Sequence, residues 1–230
     1  MLTPRIGFAA VVVAVTATSA WAQSYYVRGD FNGWQPTDQM TEVTTTHYTH
    51  TITAQPAGAL QEYKITVLDW SLTWPGSNGR VAVDALGEIN FHFYPKTFAD
   101  GWSPAEDRVG YEDSGQHGWD IMGSFNGWAG PFAVLSDTGG GLYSGQAVVT
   151  KPGVHQFKFR KYGDWAITIG DDFGNAAFNI SVETTVADQE ILFELDLPNG
   201  RWRVSPPPLF ADGFESSDCT AWSTTVGEVP

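Results

Sequence analysis

The chain repeats itself. Gly29-Asp30-Phe31-Asn32-Gly33-Trp34 returns as Gly123-Ser124-Phe125-Asn126-Gly127-Trp128, 94 residues later. Tyr63-Lys64-Ile65 returns as Phe157-Lys158-Phe159 at the same offset, and Asp69-Trp70 as Asp164-Trp165 one residue further on. Three landmarks in one order at one spacing point to a duplication. The period is longer than the roughly 20–50 residues of a solenoid repeat and has the size of a small β-sandwich, about 100 residues. The expected organisation is one copy over 24–104 and a second over 117–205. The acidic, turn-rich stretch 105–116 between them reads as a linker. Residues 206–230, opening on Pro206-Pro207-Pro208, read as a stiff spacer and a tail.

Alternation fixes the fold class. In Glu62-Tyr63-Lys64-Ile65-Thr66-Val67 and in His155-Gln156-Phe157-Lys158-Phe159-Arg160, apolar and polar residues alternate in the same phase. Period two means one face buried and one facing water. Further strands are expected at 25–28, 48–53, 89–94, 119–122, 142–149, 178–182 and 191–197, punctuated by Gly, Pro, Asn and Asp. No helical period stands out after the N-terminal segment, so the chain is expected to be all-β, two tandem sandwiches.

Composition narrows the function. Twelve Lys and Arg face 26 Asp and Glu, for a net charge of −14. Such a surface repels phosphate backbones and anionic headgroups, which argues against nucleic acid and peripheral membrane partners. Residues 1–22 read as a bacterial-type signal peptide: Arg5, an apolar run over Ile6–Val15, then Ala20-Trp21-Ala22 as an A-x-A cleavage pattern. That run is shorter than the roughly 20 residues of a membrane span. The expected location is secreted, cell-surface or periplasmic. The single cysteine, Cys219, permits no intramolecular disulfide.

The candidate binding residues are aromatic and basic. Trp34 and Trp128 end a glycine-rich turn. They could project as flat platforms for the C–H face of a sugar, with the indole N–H reaching a polar partner. They could equally plug the end of a sandwich. Lys64 and Lys158 fall on the outward face and are either solvated or hydroxyl donors. Trp70 and Trp165 follow the next turn. Period two puts Trp165 with Ile167 and Ile169, and Trp70 with Leu72 and Trp74, so either set could face the core.

Together, Gly-x-Phe-Asn-x-Trp, the Tyr/Phe-Lys-Ile/Phe strand and the following turn with Trp resemble the family-48 carbohydrate-binding modules, which occur in glycogen-binding kinase subunits and in glycogen-branching and starch-debranching enzymes. The resemblance implies an early-set immunoglobulin-like fold that holds α-1,4-linked glucan. It assigns stacking to Trp128 and Trp165 with Lys158 as donor, and the same roles to Trp34, Trp70 and Lys64. Trp74 is a further candidate in the first copy only. Asn90, in Leu86-Gly87-Glu88-Ile89-Asn90, matches a sugar-contacting asparagine of the family. The second copy has Val186-Ala187-Asp188-Gln189-Glu190-Ile191 there and lacks it. Phe210-Ala211-Asp212-Gly213-Phe214-Glu215-Ser216 with Ala221-Trp222-Ser223 resembles a C-terminal segment of exported Gram-negative proteins.

Catalytic signatures are missing from the sequence. There is no nucleophile elbow, P-loop, H-E-x-x-H or C-x-x-C, and no acid recurs as the pair a glycosidase needs. Asp171-Asp172 reads as an acidic turn rather than a Ca²⁺ site. The expectation is a non-enzymatic α-glucan-binding protein without cofactor or metal, working beside a separate glucan-degrading enzyme. The rival expectation is a surface-structural or protein-interaction role with no sugar bound.

Overall fold

In the computed structural model, residues 23–112 and 118–205 are described. The signal-peptide reading and the tail with Cys219 lie outside them. Apart from two three-residue 3-10 turns, Asp30–Asn32 and Ser124–Asn126, the regular elements are all strands.

The N-terminal half contributes β1 (Tyr26–Gly29), β2 (Asp38–Gln39), β3 (Thr41–Thr44), β4 (His47–Ile52), β5 (Leu60–Thr66), β6 (Thr73–Ala82), β7 (Ile89–Thr97) and β8 (Glu106–Tyr111). They form two four-stranded sheets, β2-β1-β5-β6 in front and β3-β4-β7-β8 behind. The C-terminal half contributes β9 (Trp119–Gly123), β10 (Ala133–Gly139), β11 (Leu142–Val149), β12 (Gly153–Lys161), β13 (Asp164–Ile169), β14 (Ile180–Thr184), β15 (Gln189–Asp196) and β16 (Arg201–Ser205). Its strands join in the order β13-β12-β9-β10-β11-β15-β16, with β14 on β12.

The two halves follow one plan. β10 pairs with β9 through Ala133–Leu135 and with β11 through Ser136–Gly139, so one strand passes from front sheet to back. In the N-terminal half that strand is split into β2 and β3 at the buried Met40. Conversely β6 is continuous, while its counterpart is broken into β13 and β14 by the connection 170–179. Strand alternation does the burying: Tyr63 and Ile65 in β5, and Phe157 and Phe159 in β12, are fully enclosed, whereas Lys64 and Lys158 between them are half-buried.

The stretch expected to be a linker differs from that reading. Glu106–Tyr111 is β8, paired along β7, with Arg108, Val109 and Tyr111 buried. Its charge misleads because the strand's basic residue is buried and paired: Arg108 donates to both carboxylate oxygens of Asp100 at 2.8 Å. The halves are also in close contact. The backbones of Ser103 and Trp202 bond reciprocally, and the Tyr111 N–H donates to the Leu197 carbonyl at 3.1 Å. One continuous apolar core runs through both.

Candidate functional site

The duplicated hexapeptide has a separate physical job at each position. Gly29 and Gly123 sit in extended backbone where a Cβ would lie 2.3 Å from the Glu62 carbonyl oxygen or 2.6 Å from that of Gln156. Phe31 and Phe125 turn inward against the core. Asn32 clamps the turn, accepting from the N–H groups of Gly29 (3.0 Å) and Trp34 (3.1 Å) and donating to the Val27 carbonyl (2.9 Å) and Asp38 (2.7 Å). Gly33 and Gly127 adopt the left-handed conformation that glycine tolerates. The tryptophans follow, also left-handed, with φ of 64° at Trp34 and 63° at Trp128. For a residue with a bulky side chain that backbone costs about 1–2 kcal/mol. The backbone N–H of each is fixed at 2.9 Å to the carbonyl of Gly29 or Gly123, and both residues are half-buried.

Each of these rings meets the second tryptophan of its half. Trp34 and Trp70 lie 6.3 Å apart between ring centres with planes 31° apart, and Trp128 and Trp165 lie 6.1 Å apart at 39°. The core-facing reading fails for Trp70 and Trp165, which are 40% and 49% exposed. Trp70 belongs to the turn before β6 and has φ of 65°. Trp165 stands in a register break between Arg160↔Thr168 and Lys161↔Asp164, which frees it from strict alternation.

Beneath each pair lies an arginine that the repeat did not single out. The Arg28 guanidinium is 4.4 Å from the Trp70 ring centre, and that of Arg160 is 5.0 Å from Trp165. The two come from different strands, β1 and β12, and solve the same burial problem differently. Arg28 is held by the carbonyls of Leu68 (2.6 Å), Val67 (3.4 Å) and Trp34 (3.4 Å), and its burial lowers its pKa. Arg160 donates to both oxygens of the buried Asp120, at 2.9 and 2.6 Å, which raises its pKa. Trp70 and Trp165 thus keep nearly half their surface accessible above a buried cation, while their partners Trp34 and Trp128 are half-buried. The Trp34 indole N–H meets Asp30 at 3.3 Å, and the other oxygen of Asp30 accepts from the Glu62 backbone. In the second copy Ser124 takes that role toward Gln156.

The remaining expected residues divide. Lys64 faces outward, its ammonium donating to the carbonyls of Pro75 (2.8 Å) and Gly76 (2.7 Å); Lys158 donates to that of Ala177 (2.7 Å). Burial lowers both pKa values. Trp74 is not with the tryptophan pair. It pairs with Ile65, the position that Ile169 holds against Phe159 in the second half, and packs on Phe93 at 4.8 Å. Its N–H goes to Asp107 at 3.1 Å. Asn90 belongs to β7 in the opposite sheet, where it bonds Thr51 at 2.6 Å and Glu112 at 3.1 Å. The asparagine motif matched by sequence, but β7 and β5 lie in different layers, so Asn90 and the tryptophan pair occupy different faces.

Among the described residues no group of three or more His, Cys, Asp or Glu is arranged to hold a metal ion, and no helix is long and apolar enough to cross a membrane. No family model, curated protein or solved structure matches the chain.

Proposed function

We propose that the protein is an exported, non-catalytic α-glucan-binding protein made of two tandem immunoglobulin-like modules similar to the family-48 carbohydrate-binding modules. The observation that carries this reading is the recurrence of a tryptophan pair, 6.3 and 6.1 Å between centres, each with one ring seated on a buried arginine. Two tilted indoles make a shallow, curved platform for consecutive sugar rings of a bent chain. The arginine fixes the platform before ligand arrives, which limits the ordering cost of binding. Stacking contributes about 0.5–1.5 kcal/mol per aromatic beyond burial, so each site is weak and the duplication supplies avidity. Lys64 and Lys158, each already bonded to carbonyls, support the site from beside it and keep N–H groups for hydroxyls. A separate glucan-degrading enzyme would act on the chain held here.

One observation favours the rival reading of a surface-structural or protein-interaction module. The same tryptophans roof two otherwise costly buried cations, so they have a structural use without ligand. Affinity electrophoresis through amylopectin separates the two. The wild type is expected to be retarded, and the Trp34→Ala/Trp128→Ala double variant to run at least several-fold closer to its ligand-free mobility. Unretarded wild type, or equal retardation of both, would favour the rival.

A further inference from the structure

We infer that the two tryptophan pairs open on one continuous face and take a single glucan chain across the seam between the halves, rather than one chain each; this rests on the glucan-binding reading. The argument starts at the seam. β6 does not run straight beside β5: the register jumps from Tyr63↔Gly79 to Ile65↔Trp74, and residues 75–78 loop out. That bulge docks into the connection after β13. The Ser77 N–H donates to Asp172 Oδ2 at 3.0 Å, and the Asn175 N–H to the Asn78 carbonyl at 2.8 Å. Gly76 approaches so closely that a Cβ there would lie 2.8 Å from Asp172 Oδ2.

The two outward lysines meet this same joint. Lys64 bonds the bulge at Pro75 and Gly76, and Lys158 bonds Ala177 in the docked connection. The Asp172 carboxylate lies close enough to favour the charge on both. Lys64 shares its sheet face with Arg28, its cross-strand partner, and Lys158 shares its face with Arg160 two residues along. Those arginines underlie Trp70 and Trp165. The outward faces of the two front sheets are therefore turned to the same side. Further along the seam, Arg80 pairs with Glu62 and donates to the Ala166 carbonyl at 3.0 Å, next to Trp165. From β1 through β5 to β6, and from β13 to β12, the steps are ladder neighbours about 4.8 Å apart; β6 and β13 end separate sheets and are bridged by Arg80 instead of a ladder, so the whole span is on the order of 20–25 Å. A chain of several glucose units can bridge that span.

Isothermal titration with maltotriose and with progressively longer maltooligosaccharides tests this. The wild type is expected to bind two maltotriose molecules per protein. Once the ligand spans both pairs it should bind one long chain per protein, with an affinity gain of about 10²-fold. Trp70→Ala and Trp165→Ala, both at exposed rings, should each retain one weak site and lose the length-dependent gain. Two long chains per protein at maltotriose-like affinity would overturn the shared-chain inference and leave the binding function standing. No heat with any oligosaccharide would remove both. Wild-type length dependence alone decides the matter if a variant folds poorly.

Discussion

At the residue scale, the identity of the cation's partner separates the halves. Arg160 and Asp120 form a buried, two-point ion pair with side chains 8% and 0% accessible. Breaking such a pair from one side strands a charge and costs about 3–5 kcal/mol. Asp120→Asn is therefore expected to lower the unfolding free energy by about 3 kcal/mol, measured by urea denaturation. Arg28 is held by carbonyls and the Trp70 ring, with no acid bonded to it among the described residues, so Arg28→Met strands no opposite charge and should cost less. Equal losses in the two variants would show that the pair is no more than packing. The sequence made the tryptophans and lysines visible because they recur in register. The arginines do not recur: Met122 stands where Arg28 would repeat, and Thr66 where Arg160 would. A search by repetition misses a function carried by different strands in each copy. What could have found Arg28 is alternation, since Val27 beside it is core.

At the element scale, strands with clean alternation were legible, as Ile89–Thr97 shows: expected over 89–94, it alternates buried and half-buried along that stretch. Those with bulges were not. Thr73–Ala82 carries Pro75, Gly76 and Gly79 and is not among the strands expected from the sequence, yet it is a strand that joins the halves. Asn90 was placed by local motif, and a motif carries no information about which sheet its strand joins. The outward face of the back sheet holds a feature of its own. His47 Nε2 lies 3.1 Å from His92 Nδ1, and His92 Nε2 lies 3.3 Å from Glu112, with Tyr94 stacked on His47 at 4.5 Å. Burial, then His92 and Lys96, lowers the His47 pKa. A group with a depressed cationic pKa is neutral in both states at high pH. As pH falls through its unfolded value, about 6.5, the unfolded chain takes the proton first and stability drops. The urea midpoint is expected to fall between about pH 7 and 5. The fall should be shallower in His47→Phe, which keeps the stack on Tyr94. An unchanged slope in the variant would assign the pH dependence elsewhere.

At the scale of the whole molecule, duplication suggests two beads on a string, and the packing contradicts the string. Gly110 lies so close to the other half that a Cβ would sit 2.2 Å from the Pro198 carbonyl oxygen, and Gly200 would meet the Val109 carbonyl oxygen at 2.3 Å. Arg201 donates to Asp100 at 3.1 Å, on the carboxylate already held by Arg108. The Trp202 indole N–H reaches the Asp171 carbonyl at 3.4 Å, while its backbone bonds Ser103. Linked domains with small polar contacts unfold separately; a shared core makes them unfold together. Denaturation followed by tryptophan fluorescence and by far-ultraviolet circular dichroism should therefore give one coincident transition. Two resolved transitions would mean that each half keeps its own stability and that the seam is a weak contact. Coincidence matters for function because a rigid seam fixes the separation of the two tryptophan pairs. With that separation fixed, the proposed binding at one pair would confine a glucan chain near the other without further ordering of the protein.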